Sequence, residues 1–207
     1  MKVLDYMVIQ RETFPYDSKL VKYLTNKYYS KRGRLLDVGC GIGKYVKLFS
    51  VENVEAVGID NEIDLGKERY PFEDGTFDHV FSKSFLEHVV DTEYVAREMC
   101  RILKPGGTVV IMVPEYLKQS KTFWDEPTHL KPLTKVGLFL AFKREGFKEI
   151  ECSTFYQFPW VWDRPYLKYI CKLIALLPNN PEKINMLIYH SKRPMLLLSG
   201  RKPYPGW

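Results

Sequence analysis

The amino-acid sequence predicts an α/β protein with an open, mostly parallel, twisted sheet and helices on both faces. Three observations carry this expectation. Short apolar runs of strand length alternate with helical periodicity from residue 34 to residue 152. The run Leu35-Leu36-Asp37-Val38 turns on Gly39, Gly41 and Gly43 into helix-compatible Lys44-Tyr45-Val46-Lys47-Leu48-Phe49. Residues 108–113 form a β-branched apolar run, as expected of a strand covered on both faces.

Taken in order, residues 17–30 place Leu20, Val21, Leu24 and Tyr28 at helical spacing, with Asp17 or Ser18 as N-cap. A strand at 34–38, a helix at 43–50 and a strand at 54–59 follow. A parallel crossover then needs about a dozen residues. Only Asn61 and Glu62 separate Asp60 from Ile63-Asp64-Leu65, so the next strand is either a stub or absent. Strand 77–82 and an amphipathic helix at 92–103, stopped by Pro105-Gly106-Gly107, lead into strand 108–113. A helix at 134–145 is closed by Gly146, and a strand follows at 147–152. Aromatic residues, an apolar helix at 166–177 and two prolines make 155–192 an insertion before a last strand at 194–202. The expected organisation is one domain over residues 1–207, with a cap helix at about 17–30 and a lid at about 155–192.

Composition narrows the function classes. Apolar content of 45% and aromatic content of 14% exclude a disordered chain. A net charge of +6 suits an anionic partner without requiring one. Cys40, Cys100, Cys152 and Cys171 are scattered with no C-x-x-C pair, so neither a disulfide framework nor a metal site is expected. With no apolar leader and no run near the ~20 residues that span a bilayer, the expected location is the cytoplasm.

The glycine turn indicates a ligand site, because a strand turning sharply on glycines brings bare backbone against a small molecule. Dinucleotide loops read G-x-G-x-x-G. Here the third glycine arrives one residue early, and Asp37 precedes the turn, where it would repel a pyrophosphate and suit an ammonium. Asp60, with Asn61 beside it, ends the next strand and is placed to accept hydrogen bonds from a ribose diol. An ammonium at one end and a ribose near the other describe S-adenosylmethionine. The spacing and Asp37 argue against a dehydrogenase, and the intact turn argues against a protein that only binds the cofactor.

Further motifs follow in order. Pro71-Phe72-Glu73-Asp74-Gly75-Thr76-Phe77-Asp78 precedes Leu86-Glu87-His88-Val89, and Arg101-Ile102-Leu103-Lys104-Pro105-Gly106-Gly107 comes next. With the glycine turn and Gly58-Ile59-Asp60, this set resembles the class I S-adenosylmethionine-dependent methyltransferases of the small-molecule branch, over about residues 33–150 and the terminal strand. The resemblance implies a Rossmann-like sheet whose 194–202 strand runs antiparallel beside the strand after Phe147. It implies cofactor contacts from Asp37, Gly39, Cys40, Gly41, Gly43, Asp60, Asn61, Asp64, Ser82 and Ser84.

For the chemistry, an oxygen nucleophile needs a base near neutral pKa, and histidine is the usual choice. His88 follows the strand at 77–82, and His129 lies in Asp125-Glu126-Pro127-Thr128-His129-Leu130, a pattern resembling glycan-associated methyltransferases. Both are candidate catalytic residues, with His129 the preferred base and His88 also suited to organising the cofactor loop. Trp160 and Trp162 suit either a stacking platform or a hydrophobic lid. Burial against the sheet is the expected role of 166–177, with peripheral membrane contact through 160–177 as the alternative. The expected acceptor is a sugar, glycan or related small molecule, with lipid or quinone as an alternative. RNA is less favoured, since no RNA-binding appendage or N-P-P-Y motif occurs.

Overall fold

The computed structural model describes residues 14–29, 33–60, 63–178 and 186–206. Six strands form one sheet: β1 (Arg34–Val38), β2 (Glu55–Ile59), β3 (Phe77–Lys83), β4 (Leu103–Pro114), β5 (Lys148–Phe155) and β6 (Met195–Arg201). Their spatial order is β2-β1-β3-β4-β6-β5. The pairs β1–β2, β1–β3 and β3–β4 are parallel, and β6 runs antiparallel to both β4 and β5. The expected antiparallel terminal strand is therefore present. Because β6 is reversed against each neighbour, β5 points the same way as β1–β4. The segments after all five of these strands leave from one edge of the sheet, where ligands bind in open α/β folds.

Period-two alternation divides the core. Leu36, Val38, Val80, Ile111 and Val113 bury on one face with Met99, Leu138 and Phe142, while Leu35, Phe81, Val110 and Met112 bury on the other with Leu20, Leu24 and Phe49. Helices α1 (Phe14–Tyr28) and α2 (Lys44–Val51) cover the second face. The first face is covered by α3 (Thr92–Ile102) and, beyond the short helix α4 (Tyr116–Gln119), by α5 (Lys135–Arg144). Asp91 caps α3 by accepting from Tyr94 N–H at 2.9 Å, and Thr134 caps α5 by accepting from Gly137 N–H at 3.1 Å.

No strand occurs between Ile59 and Phe77 among the described residues. Irregular chain takes its place, fastened to α3 by one arginine. Arg101 donates to Glu98 (2.7 and 2.9 Å), Asp74 (2.8 Å), Phe72 O (2.8 Å) and Tyr70 O (3.0 Å), and Glu98 accepts from Tyr70 N–H at 2.8 Å. Arg101 is largely covered, so its loss would strand Glu98 and two carbonyls. Arg101→Ala is expected to destabilise the fold by about 2–4 kcal/mol, read as a lower urea midpoint. A change under about 0.5 kcal/mol would show that the segment is held by other contacts.

The insertion corrects one expectation. Its helices are α6 (Pro159–Trp162), α7 (Lys168–Ile174) and α8 (Met186–Lys192). Cys171 is buried with Tyr156, Phe158 and Val161 in a small cluster of their own. The apolar row of 166–177 does not pack on the sheet: Tyr166, Tyr169, Ile170, Leu173, Leu176 and Leu177 are all exposed, Leu176 at 80%. The segment starts beyond the end of β5, so only its inner face finds a partner. Among the described residues, no helix is long and apolar enough to cross a membrane.

Candidate active site

The glycine turn sits at the end of β1. Gly39 N–H and Cys40 N–H both donate to Ile59 O, at 2.9 and 3.2 Å, which ties the turn to the end of β2. Gly39, Gly41 and Gly43 have φ of +75°, +52° and +72°, values that L side chains adopt at a cost. A Cβ on Gly39 would clash with Phe85 Cγ, whereas one on Gly41 would meet no atom of the described residues within 4 Å. Gly39 is thus fixed by packing as well as by φ, whereas at Gly41 only the left-handed backbone calls for glycine. Cys40 packs its side chain against Gly58 of β2.

Asp37 is 1% exposed, and its Oδ2 has no hydrogen-bond partner among the described residues. Burial pushes its carboxyl up to about 7, with Asp60 adding to the rise and Lys83 opposing it. Lys83 is half-buried. Burial lowers its pKa against the pull of Asp17, Glu87 and Asp37, and its ammonium lies 5.6 Å from the Tyr45 ring centroid. Asp17 anchors α1 behind the turn, accepting from Tyr45 Oη at 2.6 Å and pairing with Lys44 Nζ at 2.7 Å.

Asp60 follows β2, close enough to Asp37 to raise its pKa. Asn61 lies outside the described residues. The Asp64 carboxylate turns back on its own loop, accepting from Gly66 N–H at 3.1 Å and pairing with Lys67 at 3.0 Å. Ser82 is fully buried and donates its hydroxyl to Val38 O at 2.8 Å, whereas Ser84 is exposed with φ +55°.

On the β3–β4 side, the two candidate histidines come together. The turn 86–88 carries Glu87 and His88, and the segment after β4 carries His129. Leu130 N–H and Lys131 N–H donate to Glu87 O at 2.8 and 3.0 Å, joining the two segments. His88 Nδ1 bonds Thr128 O at 2.9 Å, and His129 Nδ1 bonds Phe123 O at 2.6 Å while its ring stacks on Phe123 at 4.2 Å. A carbonyl only accepts, so each Nδ1 carries the hydrogen, and Nε2 of each neutral ring keeps its lone pair. The ring centroids lie 4.9 Å apart. Glu87 is 1% exposed, its Oε2 has no partner among the described residues, and burial pushes its carboxyl up to about 7 against its own N–H and Lys83.

His79 and His190 stand apart: burial beside Tyr29 lowers His79 to about 4, and burial also lowers His190. Trp162 is a packing residue, donating Nε1–H to Tyr156 O at 2.8 Å and stacking on Phe155 at 5.3 Å. Trp160, 37% exposed, lines a pocket of about 560 Å³ with Lys19, Lys22 and Lys27 of α1. Sequence reasoning picked out the turn, Asp60 and both histidines. It missed the anchoring role of Asp17, for which an N-cap was the only signal, and the burial of Lys83.

A strand–glycine-turn–helix with acidic strand ends on this sheet defines a cofactor-binding α/β fold. A methyltransferase-domain family model matches residues 9–153, and the chain belongs to that family, the class I S-adenosylmethionine-dependent methyltransferases. Phosphoethanolamine N-methyltransferase 2 of Caenorhabditis elegans is 34% identical over 113 positions, which cover 43% of this chain and 26% of that protein. The C-methyltransferase UbiE of ubiquinone/menaquinone biosynthesis from Pasteurella multocida is 35% identical over 92 positions, covering 44% of this chain and 30% of that protein. The chain thus spans less than a third of the length of these two relatives. Among solved structures, an S-adenosylmethionine-dependent methyltransferase from Archaeoglobus fulgidus superposes with a TM-score of 0.65 at 20% identity, covering 94% of this chain and 99% of that one. Phosphoethanolamine N-methyltransferase 2 of Haemonchus contortus, in complex with S-adenosyl-L-methionine, gives 0.62 at 22% identity over 91% of this chain and 53% of that one. At such identities the structures establish the shared fold.

Proposed function

We propose that this chain transfers a methyl group from S-adenosylmethionine to a hydroxyl of a small acceptor, a sugar or related molecule. The observation that carries the reading is the shared sheet edge. Asp37, the glycine turn and Asp60 stand at its β1–β2 side, and an anchored histidine pair stands at its β3–β4 side.

The residues present fit the cofactor. A buried carboxylate with an orphaned oxygen, Asp37, suits the α-ammonium, and the backbone of 39–43 suits the methionyl group. Asp60, with Asn61, is assigned to the ribose hydroxyls. When bound, S-adenosylmethionine supplies an electrophilic methyl group on a sulfonium, and the chain's task is alignment and proton removal. His129 Nε2 takes the acceptor proton. Phe123 O holds the charged ring, and the Glu87 carboxylate within 4.8 Å stabilises it.

Asp60→Ala is expected to weaken S-adenosylhomocysteine binding by about 1.5–3 kcal/mol, or roughly 10–150-fold, in calorimetry. A pH series tests Asp37, which Asp60, Lys83, Tyr29 and Tyr45 surround. Its folded pKa is raised, so its contribution to the stability of the ligand-free chain is full below the unfolded value near 4 and lost as pH rises through about 7. An ammonium partner favours the ionised form. The thermal upshift given by S-adenosylhomocysteine should therefore grow from pH 6 to pH 8 and become flat in Asp37→Asn. A flat response in the wild type would separate Asp37 from the ligand.

Labelled cofactor turned over against sugars, glycans, lipids, quinones and RNA identifies the acceptor. A relative named for ubiquinone/menaquinone biosynthesis keeps a lipid or quinone acceptor as the second reading. The exposed apolar row at 166–177, with Lys168 and Lys172, specifically favours it. Turnover of a lipid-embedded acceptor, lost in Leu173→Asp with soluble acceptors unaffected, would select it. Cofactor binding with no turnover on any acceptor would mark the chain as a non-catalytic binder.

A further inference from the structure

The geometry points to a binding site for one divalent cation, Zn²⁺ foremost among first-row ions, formed by Glu87, His88 and His129. It deepens the reading above, resting on it only for what the ion's outer ligand would be. A ring nitrogen of each histidine and a carboxylate oxygen of Glu87 lie within 4.8 Å of one another. Two imidazoles and one carboxylate are a ligand set that suits zinc and neighbouring transition ions, with a fourth position open.

Two independent features separate this cluster from a chance meeting of polar side chains. Both histidines already have the outer contacts that metal-bound imidazoles have. Thr128 O and Phe123 O take the Nδ1 hydrogens, which fixes each ring and reserves the Nε2 lone pair for a ligand. Glu87 is buried at 1% exposure with Oε2 unsatisfied, an arrangement that costs free energy unless a cation or donor completes it.

The backbone around the cluster is held firmly. Glu87 O accepts two amide hydrogens from the segment carrying His129, so the histidines are joined although 41 positions separate them in sequence. Ligands about 2.0–2.2 Å from a tetrahedral ion stand roughly 3.3 Å apart, so the three would close by up to about 1.5 Å. With the ion bound, the ring nitrogens act as ligands rather than as proton acceptors. The ion would then lower the acceptor hydroxyl's pKa and the proton would pass to solvent, so His129 is the base only in the ion-free chain.

The test is Zn²⁺ binding to the full chain after chelator treatment, measured by calorimetry, with Co²⁺ absorption reporting the ligand type. One ion per chain is expected, with a Co²⁺ spectrum lacking the thiolate charge-transfer band. Glu87→Gln should weaken binding by about 10–100-fold, and His88→Ala/His129→Ala more. Circular dichroism checks folding, and His129→Gln serves where alanine disturbs the loop. Cys100→Ser should bind normally. Absence of saturable binding, equal affinity in the histidine double variant, or loss of binding in the cysteine variant would each overturn the site. S-adenosylhomocysteine affinity measured on the same samples separates the proposals: its absence beside intact Zn²⁺ binding sinks the methyl-transfer reading alone.

Discussion

Gly39→Val and Gly41→Val are expected to fail in opposite ways, although the two glycines lie two residues apart in one turn. At Gly39 the new Cβ would clash with Phe85 Cγ on a backbone with φ of +75°. Left-handed backbone costs about 1–2 kcal/mol and overpacking about 1–3 kcal/mol, so the loss of stability should reach about 2–5 kcal/mol. For a chain of this length that corresponds to a melting temperature lower by about 4–20 °C. At Gly41 the new Cβ meets no atom of the described residues within 4 Å, and the φ of +52° is what costs stability. Gly41→Val should fold with a small loss, yet bind S-adenosylhomocysteine at least 100-fold more weakly, because the branched side chain stands where the ligand must approach. Retained affinity in a folded Gly41→Val would move the cofactor away from the turn.

His129→Ala should lower turnover by about 10²–10⁴-fold while leaving S-adenosylhomocysteine affinity nearly unchanged. The ring touches Phe123 and His88 rather than the Asp37–Asp60 side, so its removal spares the groups assigned to the cofactor. Loss of the ring also frees Phe123 O from its 2.6 Å bond, so a control is needed for the loop's position. His129→Gln can still donate to that carbonyl but offers no basic nitrogen, and it should be as slow as the alanine variant. Full activity in either variant would remove His129 from the chemistry. Recovery in the glutamine variant alone would assign it to loop positioning.

Most of the sheet was legible because buried strands and crossover helices leave local marks. The apolar run 108–113 announces β4, and the glycines announce the β1–α2 junction. Gly146, with φ of +92°, closes α5. The missing strand was signalled only by a connection too short for a crossover. What replaces it depends on Arg101, which reaches Tyr70 and Phe72 some thirty positions earlier, and no periodicity encodes such a contact. The insertion was misread for a related reason. Apolar residues at helical spacing say that a helix has an apolar face, not that a partner within the chain covers it. In the site, residue types were legible and burial was not. Asp37 and Glu87 look like ordinary acids in sequence, and only tertiary packing removes their water and leaves an oxygen of each unsatisfied.

The placement of β6 between β4 and β5 has a consequence for synthesis of the chain. Among the described residues β5 pairs with β6 alone, so when it leaves the ribosome its partner has not yet been made. About 40 residues of insertion separate the two strands, and at roughly 5–20 residues per second β5 waits on the order of 2–8 s. Throughout that interval β4 presents an open apolar edge and β5 an unpaired one, both prone to association with other nascent chains. Insertion of Leu196, Leu197 and Leu198 between them closes the sheet in one late, non-local event. Chaperone dependence and codon usage should therefore bear most heavily on the stretch between Phe155 and Met195, far from the residues that the chemistry needs.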